Sequence, residues 1–349
     1  MISVSTASDK ASGVRKCLAV LAMLTAAALV PGHAHAQTPA PDKLTAVFSS
    51  ALANSQYWSM FLVGVDKGFY RDHGIELEFL EGQGGGVTAQ VIANGRADIG
   101  LGVSASSVIN ADAGGADLKM IGLDAPVAAI AVLSKPPRTL DKPSDLVGKT
   151  IGIPPGTSQA LAWPGFLAAN GIDPKSVTVV NVQLASMRAA LLQGQVDGYL
   201  AFSISNLPLL KGLGVQDPHA LLFSDFGLRL APDSGEIVRD GLIRSRPDVL
   251  KRLLAAIDES FTFAFAHPEE AVQAGHRMYP NSIQPEVATA QLRLEAALFQ
   301  ANRHSGKPLM WMPPEDWAQQ VVTLTKLGGV TGAKPPESYY TNDLLPEAR

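Results

Sequence analysis

From residue 44 onward, short apolar runs alternate with stretches of helical composition. Leu44 to Ser49, Ile75 to Leu80, Asp98 to Val103 and Lys119 to Leu123 read as strands. Ala128 to Ser134 is a further apolar run, closed by Lys135-Pro136-Pro137, because proline offers no N–H to a ladder. A second series starts at Lys149 to Ile153 and continues through Val177 to Val182 and Val196 to Phe202. This alternation predicts an α/β fold with mostly parallel strands. From Ser245 the texture turns helical. Val249, Leu250, Leu253, Leu254, Ile257 and Phe261 recur at helical spacing over Pro247 to Ala266. Pro268 to Tyr279, Pro285 to Arg303 and Pro313 to Leu327 each open with proline and carry acids in the first turn, which suits the helix dipole.

The two series repeat each other. VIANGRADIGLGVSAS and ALLQGQVDGYLAFSIS place Gly95, Asp98, Ser104 and Ser106 against Gly194, Asp197, Ser203 and Ser205, and His73-Gly74-Ile75 has its counterpart in Asn170-Gly171-Ile172. The glycines sit where left-handed helix C-caps belong and the aspartates where strands begin, so these positions read as structural. The unit is too long for a solenoid, which predicts two similar lobes. The late amphipathic helices are assigned to the first. Lobe one is then 43–134 plus 236–349, lobe two 139–229, and the crossovers 135–138 and 230–235. Two lobes joined twice form a cleft that closes by a hinge.

Composition narrows the class. With 46% hydrophobic and 17% charged residues, the chain can bury a large core. Arg15 and Lys16 precede an apolar run from Cys17 to Val30, then Pro31-Gly32 and the small-residue pattern Ala34-His35-Ala36, which reads as a secretory signal peptide over 1–36. The run is too short to span a bilayer. Cleavage after Ala36 would remove a formal +2 and leave −6, against −4 for the whole chain. An acidic protein is a poor phosphate-backbone binder, so nucleic acid is not an expected partner. Cys17, the one cysteine, lies in the removed segment, which leaves no disulfide or thiolate metal site. Cofactors are not expected.

Open α/β sheets bind ligands beyond the carboxyl ends of their strands. After the first strand come Ser50, Asn54, Tyr57 and Trp58, a mixture suited to a ligand with polar and flat parts. After the second, Gly85 and Gly86 open a helix with bare N–H groups that suit an anion, unless they serve only a flexible turn. After the third, Ser104 either caps the next helix or gives its hydroxyl to ligand. The second lobe offers Gly156, Thr157 and Ser158 at a helix start, and Ser203 at the end of its last strand. Facing helix starts can hold one oxyanion between them. Trp163 reads as packing.

Five strings carry a resemblance to a known family: Lys67-Gly68-Phe69-Tyr70 with His73-Gly74-Ile75, Gly84-Gly85-Gly86, Asn94 to Gly100, Asp145 to Lys149, and Gly194 to Asp197. In this order the chain resembles the extracytoplasmic substrate-binding proteins of ABC importers for nitrate, sulfonates, taurine and thiamine-pyrimidine precursors. The resemblance implies a type II periplasmic-binding fold, with two α/β lobes and a ligand cleft between them. It further implies a periplasmic location, a monomer, no catalysis, and delivery of solute to a permease with its ATPase. The glycines and hydroxyls favour a small organic anion, a sulfonate or related carboxylate. An amino-sulfonate would need a carboxylate for its ammonium, and Asp124, Asp233 or Glu236 would serve. Alternatives of the same fold are a pyrimidine-precursor binding or synthase-like protein and a ligand-sensing receptor domain. The synthases carry a Cys-rich motif that is missing here. No Gly-x-Ser-x-Gly elbow and no metal-type histidine spacing appear, which disfavours hydrolysis.

Overall fold

The computed structural model describes residues 40–50, 55–155, 157–326, 330 and 332–348. The expected signal peptide, with Cys17, lies outside them. β1 (Asp42–Phe48) opens the first sheet and is followed by α1 (Ser55–Lys67), α2 (Phe69–Asp72), β2 (Ile75–Glu81), α3 (Gly85–Ala93), β3 (Ile99–Ser104), α4 (Ala105–Ala113) and β4 (Leu118–Ala125). The second sheet is built from β5 (Ile130–Ser134), β6 (Thr150–Ile153), α5 (Ser158–Ala169), β7 (Thr178–Asn181), α6 (Met187–Leu192), β8 (Gly198–Phe202), α7 (Ser203–Gly212) and β9 (His219–Leu222). The chain then returns through β10 (Ser234–Arg239) and α8 (Asp240–Ser245) to α9 (Pro247–Ala266), α10 (Pro268–Met278), α11 (Pro285–Ala301) and α12 (Pro314–Lys326).

The sheet orders are β2-β1-β3-β10-β4 and β7-β6-β8-β5-β9. Four strands of each sheet run parallel, as expected, and one strand in each is inserted antiparallel. β1 runs parallel to β2 and β3, but β10 lies antiparallel between β3 and β4. β5 likewise lies antiparallel between β8 and β9. Two crossover boundaries are corrected. Ile130–Ser134 pairs with β8 and β9, so the first passage is 126–129, and Pro136-Pro137 ends a second-sheet strand instead of marking the crossing. Ser234 and Gly235 already pair with β3 and β4, so the return passage, expected at 230–235, is complete at Asp233. β9 and β10 were not anticipated as strands.

Helices cover the first sheet on both faces. Leu250, Leu253, Leu254, Ile257 and Phe261 of α9 are fully buried with Phe48, Phe61 and Ile121 on one face, each worth about 1.5–3 kcal/mol of transfer free energy. Val108 and Ile109 of α4 and Trp317 and Leu324 of α12 pack with Val103 and Ile237 on the other. In the second sheet, Trp163, Phe166 and Leu167 of α5 cover one face, while Met187 and Leu191 of α6 and Leu210 of α7 cover the other. Phe166 and Phe223 stack with centroids 3.9 Å apart.

The repeat has a physical basis in strand entry. Asp98 Oδ2 accepts the Thr45 N–H at 2.9 Å, and the Asp98 N–H is donated to the Thr45 carbonyl, also at 2.9 Å. Asp197 does the same for Thr150, at 2.9 and 2.8 Å. Gly95 and Gly194, at φ 70° and 72°, release the preceding helix into that clamp. Asp98→Ala leaves a partly buried strand N–H without its acceptor and is expected to cost about 1–3 kcal/mol in urea-unfolding free energy. A change below about 0.5 kcal/mol would show that the clamp contributes nothing.

Candidate functional site

The carboxyl ends of β1, β3 and β4 and the start of β10 meet at one edge of the first sheet. Ser49 Oγ donates to the Gly102 carbonyl. Gly102, at φ +67°, donates its N–H to Asp124 Oδ2 at 2.7 Å, and Ser234 Oγ donates to Asp124 Oδ1 at 2.5 Å. Asp124 is therefore fully buried yet hydrogen-bonded through both oxygens. Asp233 is fixed by its backbone: its carbonyl accepts the Ala105 N–H at 2.8 Å and its N–H is donated to the Ala125 carbonyl at 3.2 Å. The Tyr57 phenol, half-buried on α1, lies against the Ser234 side chain. From α11, Glu295 adds a fully buried carboxylate with no hydrogen-bond partner on either oxygen among the described residues. One turn earlier, Gln291 Nε2 donates to the Ser205 carbonyl of α7 at 2.6 Å, so this face of α11 reaches the second sheet's helices.

Burial dominates the electrostatics. It pushes the Asp124 carboxyl up to about 6 against the opposing hydrogen bonds from Ser234 and Gly102. Asp233 rises to about 7 through burial and the neighbouring Asp124 charge. Glu295 is raised well above the usual carboxylate range by burial, then by Asp124 and Asp233. Tyr57 is raised by burial and by the three carboxylates Glu295, Asp233 and Asp124. Glu236 is also raised, by burial and Asp124, but its carboxylate lies inside the first core, 2.8 Å from where a Cβ on Gly122 would stand and next to Met310 and Leu254. It is placed against the α9 side of the sheet.

Between the two sheets lies a cavity of about 30 Å³. Ser106 at the start of α4, Asp233, and Gln320 and Leu324 of α12 line it from one side. Ser158 and Leu161 of α5 and Ile130 of β5 line it from the other, with Ala128 and Leu230 at the passages. Asp233 thus links the cavity to the Asp124–Tyr57–Glu295 group. Beside the return passage, Arg229 binds Asp316 at 2.6 Å and Asn302 at 3.3 Å, which ties the second lobe's exit to α12.

Of the residues singled out from sequence, Ser158 lines the cavity and Tyr57 joins the acidic group. Ser203, at the start of α7, is buried at 6% exposure and donates its N–H to the Ala129 carbonyl at 2.8 Å. Ser104 caps α4, accepting the Ser107 N–H at 3.2 Å. Thr157 caps α5: its hydroxyl donates to the Pro154 carbonyl at 2.8 Å and accepts the Ala160 N–H at 3.3 Å. Trp58 is a core residue, stacked on Phe48 with centroids 3.8 Å apart and donating Nε1–H to the Ser50 carbonyl at 3.3 Å. Gly85 lets α3 approach α4, since a Cβ there would stand 2.8 Å from Ser107 Oγ, whereas Gly86 faces open space. Asn54 and Gly156 lie outside the described residues. Glu295, Ser234 and Gln320 were missed. Glu295 had a legible signal, because it interrupts the buried stripe Ala288, Leu292, Phe299 of α11.

Two α/β lobes, two passages and a cavity between the sheets define the fold of the periplasmic binding proteins. The chain belongs to the family described as NMT1/THI5 like, whose model matches residues 55–271. It is similar to the riboflavin-binding protein RibY of Chloroflexus aurantiacus, 22% identical over 96% of both chains. A Brucella abortus protein named as a binding protein is 23% identical over 80% of both. Among solved structures, the periplasmic aliphatic sulphonate binding protein SsuA of Escherichia coli superposes with a TM-score of 0.68 at 16% identity, covering 88% of this chain and 95% of that one.

A raised carboxyl binds its proton more tightly folded than unfolded, so its contribution to stability falls as pH rises above the unfolded value. Glu295→Gln removes that dependence. Its urea-unfolding free energy is expected to exceed that of the unaltered protein by a margin that widens between about pH 5 and pH 8. A margin that shrinks with rising pH would contradict the direction assigned to Glu295. Thr157→Ala is expected to cost about 1 kcal/mol of unfolding free energy through the lost cap, and an unchanged urea midpoint would contradict the capping role.

Proposed function

We propose that the protein is the extracytoplasmic solute-binding component of an ABC importer, which captures a small organic solute between its lobes and delivers it to a permease with its ATPase. The observation that carries this reading is the convergence of both lobes on one cavity. Ser106 and Asp233 come from the first sheet's elements and Ser158 and Leu161 from the second's, with two passages beside them. That arrangement suits capture by lobe closure. The Brucella and Chloroflexus relatives are named as binding proteins, and among the described residues no group of three or more His, Cys, Asp or Glu converges to hold a metal ion. The proposed role is binding without catalysis. Residues 1–36 would direct the chain to the periplasm as a cleaved leader.

The likeness to the sulphonate-binding protein supports an organic oxyanion, sulfonate or carboxylate, as one part of the solute; Gly85 and Gly86 do not line the cavity. In this conformation the cavity is about 30 Å³, little more than water-sized, so an organic solute enters by opening at the passages. Native mass spectrometry of protein purified without refolding is expected to find a retained organic solute. Small-angle scattering should show the protein expanding when the solute is dialysed away and contracting when it returns. No retained solute, and no solute from the spent growth medium that contracts the protein, would overturn the reading.

A further inference from the structure

The polar side chains around the cavity are Ser106, Ser158, Asp233 and Gln320, with no cationic side chain among them. Asp233 lines it directly, and so does Gln320, which is 4% exposed and whose Oε1 has no partner among the described residues. Behind Asp233 stand Asp124 and the fully buried Glu295, both of whose oxygens are also unpartnered. Three of these groups come from different elements, β4, α11 and α12, and Asp233 comes from the return passage. Their nearness to one another follows from the mutual charges they exert and from the bonds that fix Asp124 to Ser234 and Gly102. Among the described residues, the ionisable groups that act on the cluster are Tyr57 of α1 and the carboxylates of Asp124, Asp233 and Glu295, with Glu236 of β10 acting on the deeper side, and no lysine or arginine is among them. Arg293, next to Glu295 in sequence, turns outward to Glu269. Arg229 is held by Asp316 and Asn302.

Unpartnered buried acceptors are costly, and a donor-bearing ligand relieves them. We propose that the cleft recognises its solute by a protonated nitrogen, of primary-amine or amidinium type, received by Asp233 and Gln320 with Asp124 supplying the negative field behind them. The inference rests on the solute-binding reading and names the chemistry of that same site. A metal ion is a poorer occupant, because among the described residues no three ligating side chains converge. A bare oxyanion would meet like charge. The raised carboxyls of Asp233, to about 7, and Asp124, to about 6, sharpen the expectation. As pH rises through these values the carboxylates ionise, so affinity for a permanent cation rises and affinity for an anion falls.

The test uses matched aryl probes, benzamidinium and benzylammonium against benzenesulfonate and benzoate, titrated calorimetrically into the full mature protein freed of retained solute. The two cations are expected to bind at about pH 8 and at least tenfold more weakly at about pH 5.5, with the two anions weaker than either cation at about pH 8. Asp233→Asn and Asp124→Asn are each expected to lose roughly tenfold or more in cation affinity at about pH 8 while keeping the native circular-dichroism spectrum. If Asp124→Asn does not fold, half-buried Asp233→Asn carries the test. Preference for the sulfonate or benzoate, a cation affinity that does not change with pH, no binding of either cation, or unchanged affinity in the folded variants would each overturn the inference. In those cases a retained solute found by native mass spectrometry leaves the solute-binding reading standing, and its absence removes both.

Discussion

Each sheet is completed by a strand inserted antiparallel beside its last neighbour, and in each case that strand sits directly after a passage from the other sheet. β5 follows residues 126–129 and fills the slot between β8 and β9, and β10 follows the return and fills the slot between β3 and β4. This exchange places both passages at the same ends of the sheets where helix starts and strand ends gather. The cavity, the Asp233 backbone bonds and the Arg229 contacts all depend on it. Because Asp233 is the last residue before β10, its position is set by the ladder and not by a flexible loop.

The acidic group shows what that constraint does to chemistry. Asp124 is held by a serine hydroxyl and a glycine N–H, both of which favour its charged form, yet burial outweighs them. Glu295 has no such bonds among the described residues and is raised by burial and then by Asp124 and Asp233. Carrying these carboxylates between lobes costs stability that a well-packed apolar face would not. A binding role accounts for that cost, since the partner arrives with the ligand.

Much of the fold was legible because its determinants are local. Gly95 and Gly194 announce helix ends, Asp98 and Asp197 strand entries, and the prolines Pro247, Pro268 and Pro285 helix starts. The misplaced crossovers have one cause. A strand's sheet membership depends on pairing with distant residues, and Ile130–Ser134 carries the same apolar pattern whichever sheet receives it. The site was less legible, for the same reason. Ser104 and Thr157 were recognisable as hydroxyls at helix starts, but whether a hydroxyl caps or binds depends on where its lone pairs point. Asp233 and Glu295 lie 62 residues apart in sequence, and only the packing of α11 against the sheet end brings them within electrostatic reach.

The central claim is that a solute sits between the lobes with its donor end on the acidic group. The most direct measurement is a crystal structure of the protein purified with its retained solute. The account predicts solute density bounded by Ser158 and Leu161 on one side and Asp233 and Gln320 on the other, with a nitrogen within hydrogen-bond distance of a carboxylate. Solute bound outside the interlobe cavity, or an oxyanion pointing at Asp233, would contradict it.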